Sequence, residues 1–263
     1  MKIHHLRNAT FVIESGDNHI LIDPMLSEKG ALPTFARFRH QPEANPVVSL
    51  PDNAPHILEK VTHCLITHSH TFGMKFLQHT DHLDAAGEDF LLKNNISITC
   101  RKQDAAYLNK YGLTVKTSLT YWQTSPFLHG KITSIPAQHG HGWIQYLMAN
   151  GAGYYIELPN EPSLYISGDT VYTKAIDRVF NELKPDLSVV AAGCASLDLG
   201  DSILMPMDEI VLFVKNASGK VIANHLEALN HCPTKRSQLK KVLQENDLLL
   251  KTFIPNDGET IIF

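Results

Sequence analysis

Val61-Thr62-His63-Cys64-Leu65-Ile66-Thr67-His68-Ser69-His70, continuing through Thr71-Phe72-Gly73 to Gln78-His79-Thr80-Asp81-His82-Leu83-Asp84, is the stretch on which the reading of this chain turns. Its first half, Val61–Ile66, is a short β-rich apolar run of the kind that forms a buried strand. Two histidines spaced i, i+2 follow at once. Of the 15 histidines in the chain, five lie between His63 and His82. The same juxtaposition recurs further on. Asp81-His82 comes slightly later in the stretch, His139 follows Lys131–Ile135, Asp169 follows Ser163–Ile166, and His225 follows Lys220–Ile222 and Ala223. Ligands of open α/β sheets gather outside the carboxyl ends of strands, so five sites in one topological position are a strong signal. Imidazole nitrogen and carboxylate oxygen, without cysteine, suit Zn²⁺, Mn²⁺ or Fe²⁺ in a hydrolytic centre better than a structural cysteine-rich zinc site.

Working outward, Thr10–Glu14 and His19–Asp23 flank a turn at Ser15-Gly16-Asp17-Asn18 and read as a β-hairpin. A long irregular stretch follows, Ser27 to Asp52, with prolines at 33, 42, 46 and 51; its Phe35, Arg37, Phe38, Arg39 and His40 suit either an ordered lid or a plain surface loop. From Val61 on, apolar strand-like runs (Ile96–Cys100, Tyr154–Leu158 and Leu187–Ala191 among them) alternate with amphipathic segments. The latter are Asp84–Lys93, Gln103–Tyr111, Thr173–Leu183, Asp208–Val214 and Thr234–Gln244, where Leu239, Val242 and Leu243 share one face. Leu248–Ile254 and Thr260–Phe263 are again strand-like. This pattern predicts one α/β domain over residues 1–263, with two mixed sheets and helices outside.

Composition narrows the function. Lys and Arg total 23 against 27 Asp and Glu, a net charge of −4. That is no electrostatic footprint for nucleic acid. No segment approaches the roughly 20 apolar residues of a membrane span, and no signal-type apolar stretch opens the chain. A soluble cytoplasmic protein is expected. The four cysteines, Cys64, Cys100, Cys194 and Cys232, form no C-x-x-C pair. The first three are expected as small core residues and Cys232 as a spare thiol.

His68-x-His70, Asp81-His82, Gln138-His139-Gly140, Ser167-Gly168-Asp169-Thr170 and Asn224-His225 through His231 resemble, in this order, the successive motifs of the metallo-β-lactamase-fold hydrolases. The opening Leu6–Thr10, Leu21–Met25, and Pro185-Asp186 after a helix are similar to the branch that includes ascorbate 6-phosphate lactonase. The resemblance spans essentially the whole chain. It implies an αββα four-layer sandwich with two divalent metals, Zn²⁺ foremost and Mn²⁺ or Fe²⁺ as alternatives, in the cleft between the sheets. It implies no substrate, because the fold hosts many reactions.

One departure stands out. The family motif H-x-H-x-D-H is contiguous, whereas here Phe72 and Gly73 stand where Asp and His are expected, and Asp81-His82 comes nine residues late. Removing Phe72–Thr80 restores T-H-S-H-T-D-H-L-D. The reading adopted keeps His68 and His70 as ligands and loops out Phe72–Thr80. A contiguous alignment on His79-x-Asp81-His82 puts Leu77, which cannot bind a metal, at the first ligand position. His79 replacing one of the pair, or a damaged site, stays open.

By the resemblance, His68, His70 and His139 hold one metal, Asp81, His82 and His225 the other, and Asp169 bridges. A metal-bridging hydroxide is the implied nucleophile, since metal binding lowers the pKa of water to about 7. Asp81 then orients it, and His231 donates a hydrogen bond to the substrate or leaving group. His4, His5, His19, His56, His63 and His129 are expected to be structural, as is His141. The expected activity is metal-dependent hydrolysis of a small-molecule ester, lactone or phosphate ester, with an anionic substrate among the options. The alternatives are a nuclease or phosphodiesterase of the same fold, or a non-catalytic sensor whose metal site the insertion has disrupted. A small-molecule substrate, with no nucleic acid and no membrane, is the expected partner; homo-oligomerisation is left open.

Overall fold

The structure, a computed structural model, describes residues 1–148 and 150–263. The chain opens with strands β1 (Lys2–Arg7), β2 (Thr10–Ser15) and β3 (Asn18–Ile22), then β4 (His63–Ile66), β5 (Ser97–Arg101) and β6 (Val115–Leu119). A second series follows: β7 (Thr124–Phe127), β8 (Gly130–Pro136), β9 (Ala152–Glu157), β10 (Leu164–Ile166), β11 (Leu187–Ala191), β12 (Lys220–Asn224) and β13 (Thr252–Phe253). The final strand, β14 (Thr260–Ile262), returns to pair with β1. Two seven-stranded sheets result, ordered β14-β1-β2-β3-β4-β5-β6 and β13-β12-β11-β10-β9-β8-β7.

Each sheet contains three antiparallel pairings followed by three parallel ones. Antiparallel neighbours need only short turns, whereas parallel neighbours need long crossovers. The crossovers carry the helices: α1 (Ala54–Leu58) between β3 and β4, α2 (Ala85–Lys93) between β4 and β5, and α3 (Lys102–Lys110) between β5 and β6. In the second half, α4 (Lys174–Arg178), α5 (Met207–Asn216) and α6 (Arg236–Glu245) do the same.

Side-chain alternation along the strands divides the interior into layers. Phe11, Ile13, Ile20, Ile22 and Leu65 of the first sheet face Tyr154, Ile156, Leu164, Ile166, Val189 and Ile222 of the second. The intervening residues face outward. Val12, Leu21, Cys64 and Ile98 pack under α1, α2 and α3 through Ile57, Leu91 and Leu108. Tyr165, Val190, Val221 and Ala223 pack under Ile176, Phe213 and Leu239 of the other three helices. This is the αββα arrangement of two mixed sheets expected above. The Tyr154 hydroxyl donates to Ile66 O at 2.7 Å, a buried polar link between the sheets.

The elements not foreseen include the outer strands β6 and β7, each at one edge of its sheet. β6 exposes Lys116 and Ser118, and β7 contains Pro126, which cannot donate to a ladder. An edge strand buries less and so carries a weaker apolar signal. In the Leu248–Ile254 segment only Thr252–Phe253 pairs, after a 3₁₀ turn at Leu249–Lys251. Among the described residues no helix is long and apolar enough to cross a membrane.

Arg236, at the start of α6, ties three parts of the second half together. Its Nη1 meets Glu227 Oε2 at 2.6 Å, its Nε donates to Pro255 O at 2.7 Å, and its Nη2 pairs with Asp257. Burial opposes ionisation of Asp257, but His5 and Arg236 outweigh it and hold the carboxyl below its usual range. A carboxylate depressed in the folded state stabilises above its unfolded pKa, about 3.9, and loses that contribution as pH falls through the folded value. Asp257→Ala is therefore expected to cost about 1–3 kcal/mol at pH 7 in chemical denaturation. The deficit should shrink below about pH 4.

Candidate metal centre

The site lies at the ends of strands from both sheets. Thr67-His68 leaves β4, His139 follows β8, Asp169 follows β10 and His225 follows β12. Asp81 and His82 sit just before α2, whose N-cap is Asp84; its carboxylate accepts from Gly87 N at 2.8 Å and also from Leu26 N and Ser27 N. Gly168 has φ +61, and a Cβ there would lie 2.8 Å from Ala152 O, so both conformation and space call for glycine beside Asp169.

Two groups of candidate ligand atoms form, each with its atoms within 4.8 Å of one another: His68, His79 and His139, and Asp81, His82, Asp169 and His225. Asp169 stands between them. Its Oδ2 is 3.1 Å from His82 Nε2, 3.5 Å from His225 Nε2 and 3.6 Å from His139 Nε2. His68 Nε2, His82 Nε2, His225 Nε2 and Asp169 Oδ1 are buried with no hydrogen-bond partner among the described residues. Buried polar atoms without partners are costly. Four of them converging on one place fit a metal centre.

The opposite side of each ring is held. His82 Nδ1 lies 2.9 Å from Asp23 Oδ2, and the same carboxylate accepts from Thr67 N and Thr67 Oγ1 at 2.8 Å each. His139 Nδ1 donates to Ile203 O at 2.8 Å. His225 Nδ1 lies 3.4 Å from Cys232 Sγ. A donor hydrogen on Nδ1 leaves the Nε2 lone pair for a cation and fixes the plane of the ring. Asn8 adds a backbone clamp, donating from Nδ2 to Asp81 O at 3.0 Å and accepting from His225 N at 2.9 Å.

The two groups differ in charge. Burial pushes His68 well below the usual imidazole range, and His139 below it; His79 falls to about 3 by the same cause. In the second group burial again opposes charge, but Asp169 with Asp23 and Asp81 outweighs it at His82, and Asp169 with the Cys232 sulfur outweighs it at His225, holding both well above the usual range. His82 and His225 in turn hold Asp169 well below its own, against burial. The first group thus disfavours positive charge, while the carboxylates of the second favour it, the charge that a bound cation would supply in place of protons.

His70 is a correction. Expected beside His68, it joins neither group. Its Nδ1 sits 3.0 Å from Asp104 Oδ1, and its ring stacks on Tyr107 with centroids 4.0 Å apart. His79, assigned above to a looped-out segment, takes that place, its ring 4.6 Å from His68 and 5.5 Å from His139. The extra residues therefore separate the two histidines of H-x-H rather than following them. His79-Thr80-Asp81-His82 keeps the second half of the motif together. Thr71 Oγ1 lies 3.1 Å from His79 Nε2, which leaves Nδ1 for a metal. Asn8 and Asp23, assigned no role above, both support the site. Asp23 is a carboxylate just past a strand, the signal used for the other positions.

His231 is buried beside Cys232, with Nε2 4.0 Å from Sγ and Nδ1 without a partner among the described residues. Its two histidine neighbours outweigh burial and lower the Cys232 thiol to about 7. Phe35, from the Ser27–Asp52 stretch, meets the His231 ring edge-on at 5.3 Å. Asn230 pins that stretch in place: Oδ1 accepts from Phe35 N and Nδ2 donates to Ala36 O. His141 instead pairs with Glu209 at 2.7 Å.

A family profile described as "Beta-lactamase superfamily domain" matches residues 18–225. The UPF0173 protein YddR of Bacillus subtilis (strain 168) is 33% identical over 266 residues, covering all of both chains. The chain belongs to this metallo-β-lactamase-fold family of metal-dependent hydrolases. A solved isothiocyanate hydrolase from Delia radicum gut bacteria superposes on this family member with a TM-score of 0.87 at 31% identity, covering 100% of this chain and 99% of that one. A structure described as a possible metal-dependent hydrolase from Veillonella parvula DSM 2008 superposes with a TM-score of 0.88 at 26% identity, over 99% and 98% of the two chains.

The two histidines flanking the extra residues separate the readings experimentally. His79→Ala is expected to lower the bound metal by one ion per chain in elemental analysis, while His70→Ala retains the wild-type content.

Proposed function

We propose that this hydrolase acts on a small, uncharged carbon electrophile at a two-metal centre. An isothiocyanate is the leading class and a lactone or ester carbonyl the second. The observation that carries the two-metal reading is the convergence of unpartnered buried atoms from His68, His82, His225 and Asp169. His68, His79 and His139 would hold one cation, Asp81, His82 and His225 the other, with Asp169 shared. When bound, such metals supply an activated water and Lewis-acid polarisation of the substrate. Zn²⁺ suits the donor set best.

The surroundings favour an uncharged substrate over a phosphate ester. Met25, Ile144, Ala195, Ile203, Leu204 and Leu229 form an apolar cluster at this end of the fold, with Phe35 packed against it. Among the described residues, none of the ion pairs of the two groups involves Lys or Arg. The similarity to a named isothiocyanate hydrolase along the full chain supports the same class here. The net charge of −4 supports a small-molecule partner over nucleic acid.

The residues then divide the work. Asp81, its carboxylate 3.8 Å from His82 Nε2, orients the attacking water and accepts its proton. His231 presents a buried, unpartnered Nδ1 to the leaving group. For an isothiocyanate, addition of water across C=N and collapse of the resulting thiocarbamate balance as R–N=C=S + H₂O → R–NH₂ + COS. The proton that His231 delivers goes to nitrogen.

Protein purified without chelator is expected to carry about two divalent ions per chain and to release amine from an aryl or alkyl isothiocyanate. Chelation should abolish turnover, and zinc should restore it. Retention of full activity by metal-stripped protein would sink the reading. His231→Gln is expected to lower kcat on the order of 10²- to 10⁴-fold, the range of general acid–base catalysis, with metal content unchanged.

A further inference from the structure

A polar network outside the two ligand groups, buried at Ser69, His70, Arg101 and Asp104 and exposed at Asn150, joins the inserted segment to the His139 turn. The insertion separates His68 from His79, yet both rings must reach one point. Its neck is closed by backbone pairing: His79 N donates to Ser69 O at 2.8 Å, Thr71 N donates to Leu77 O at 3.0 Å, and His70 forms an antiparallel bridge with Gln78. A closed neck alone does not orient His79 toward His139, which arrives from the other sheet.

The link runs through α3. Asp104, at its first turn and fully buried, receives both neck residues on one oxygen. Ser69 Oγ donates at 2.8 Å, and His70 Nδ1 lies at 3.0 Å. The Tyr107 hydroxyl donates to Gln78 Oε1 at 2.9 Å, one turn further along the same helix. The other Asp104 oxygen pairs with the buried Arg101 guanidinium, which donates onward to the backbone carbonyl of Asn150. The Asn150 side-chain oxygen accepts from His139 N at 3.1 Å. An unbroken path of charged and neutral hydrogen bonds thus connects the residue preceding His70 to the backbone of His139. One end, Ser69, adjoins His68 and accepts from His79 N, and the other is the backbone of His139, so both ends meet the same group.

We propose that Asp104, with Arg101 and Asn150, is a positioning system for the first metal group. It holds the neck of the insertion and the His139 turn in one register, so that His79 and His139 meet His68. His70 serves it as an anchor. None of the three donates a ligand atom. The inference rests on the reading of His68, His79 and His139 as a metal group. Outer partners of this kind typically contribute 10- to 100-fold in metal affinity.

The test is a zinc titration against a chromophoric chelator, in which the step belonging to the first group is the one that His79→Ala removes. Asp104→Asn and Asn150→Ala are each expected to weaken that step on the order of 10- to 100-fold and to leave the other step in place. Circular dichroism of the metal-free proteins checks folding. Should Asp104→Asn fail to fold, Asn150→Ala decides, because Asn150 is exposed and, among the described residues, the hydrogen bond its side chain makes is the one it accepts from His139 N. Unchanged affinity in folded variants overturns the positioning role alone, and so does equal weakening of both steps. A wild type with no zinc step sensitive to His79→Ala overturns the metal-group reading and this inference together.

Discussion

Unpaired imidazole and carboxylate atoms held inside a sandwich of apolar side chains are the constraint from which the rest of this structure follows. His68, His82, His225 and Asp169 are all nearly or fully buried, and each turns an atom without a partner toward the others. Left bare, such atoms cost a few kcal/mol apiece. A fold that assembles them needs strong support elsewhere, and a charged occupant offsets their cost. The support is visible on the far side of each ring, in Asp23 behind His82, the Ile203 carbonyl behind His139 and the Cys232 thiol behind His225.

The two sheets explain why such a place exists. Each runs from antiparallel hairpins into parallel strands, so the carboxyl ends of β4, β10, β11 and β12 all open toward one edge of the sandwich. Parallel strands require crossovers, and each crossover begins with a loop at that edge. Function is concentrated in those loops because the strands beneath them are fixed by packing on both faces. His225, in the left-handed region at φ 59, shows the backbone strain accepted at one such turn.

The insertion shows how much a metal motif tolerates. Lengthening a loop costs entropy only logarithmically, so nine added residues are a small penalty if their ends are brought together. The ends here are joined by pairing across Ser69 and His79. The added segment then brings a private set of contacts to Tyr107 and Asp104. A histidine that local spacing marks as a ligand became one of those contacts instead.

Periodicity and the position of His and Asp after strands determined the layered α/β architecture, the outer helices and the candidate status of His68, Asp81, His82, His139, Asp169 and His225. Those signals are local, because alternation along a strand and a polar residue at its end can be read a few positions at a time. The edge strands β6 and β7 escaped that reading because a strand paired on one side only buries too little to leave a clear apolar pattern. The choice between His70 and His79 escaped it for a different reason. Both stand at motif spacing from one half of the motif, and nothing within the stretch says on which side of the first histidine pair the chain departs. That was decided by α3, more than thirty residues past His70, whose Asp104 and Tyr107 draw His70 away and leave the position to His79. Side-chain direction depends on what lies across the cleft, and only the tertiary structure supplies that neighbour.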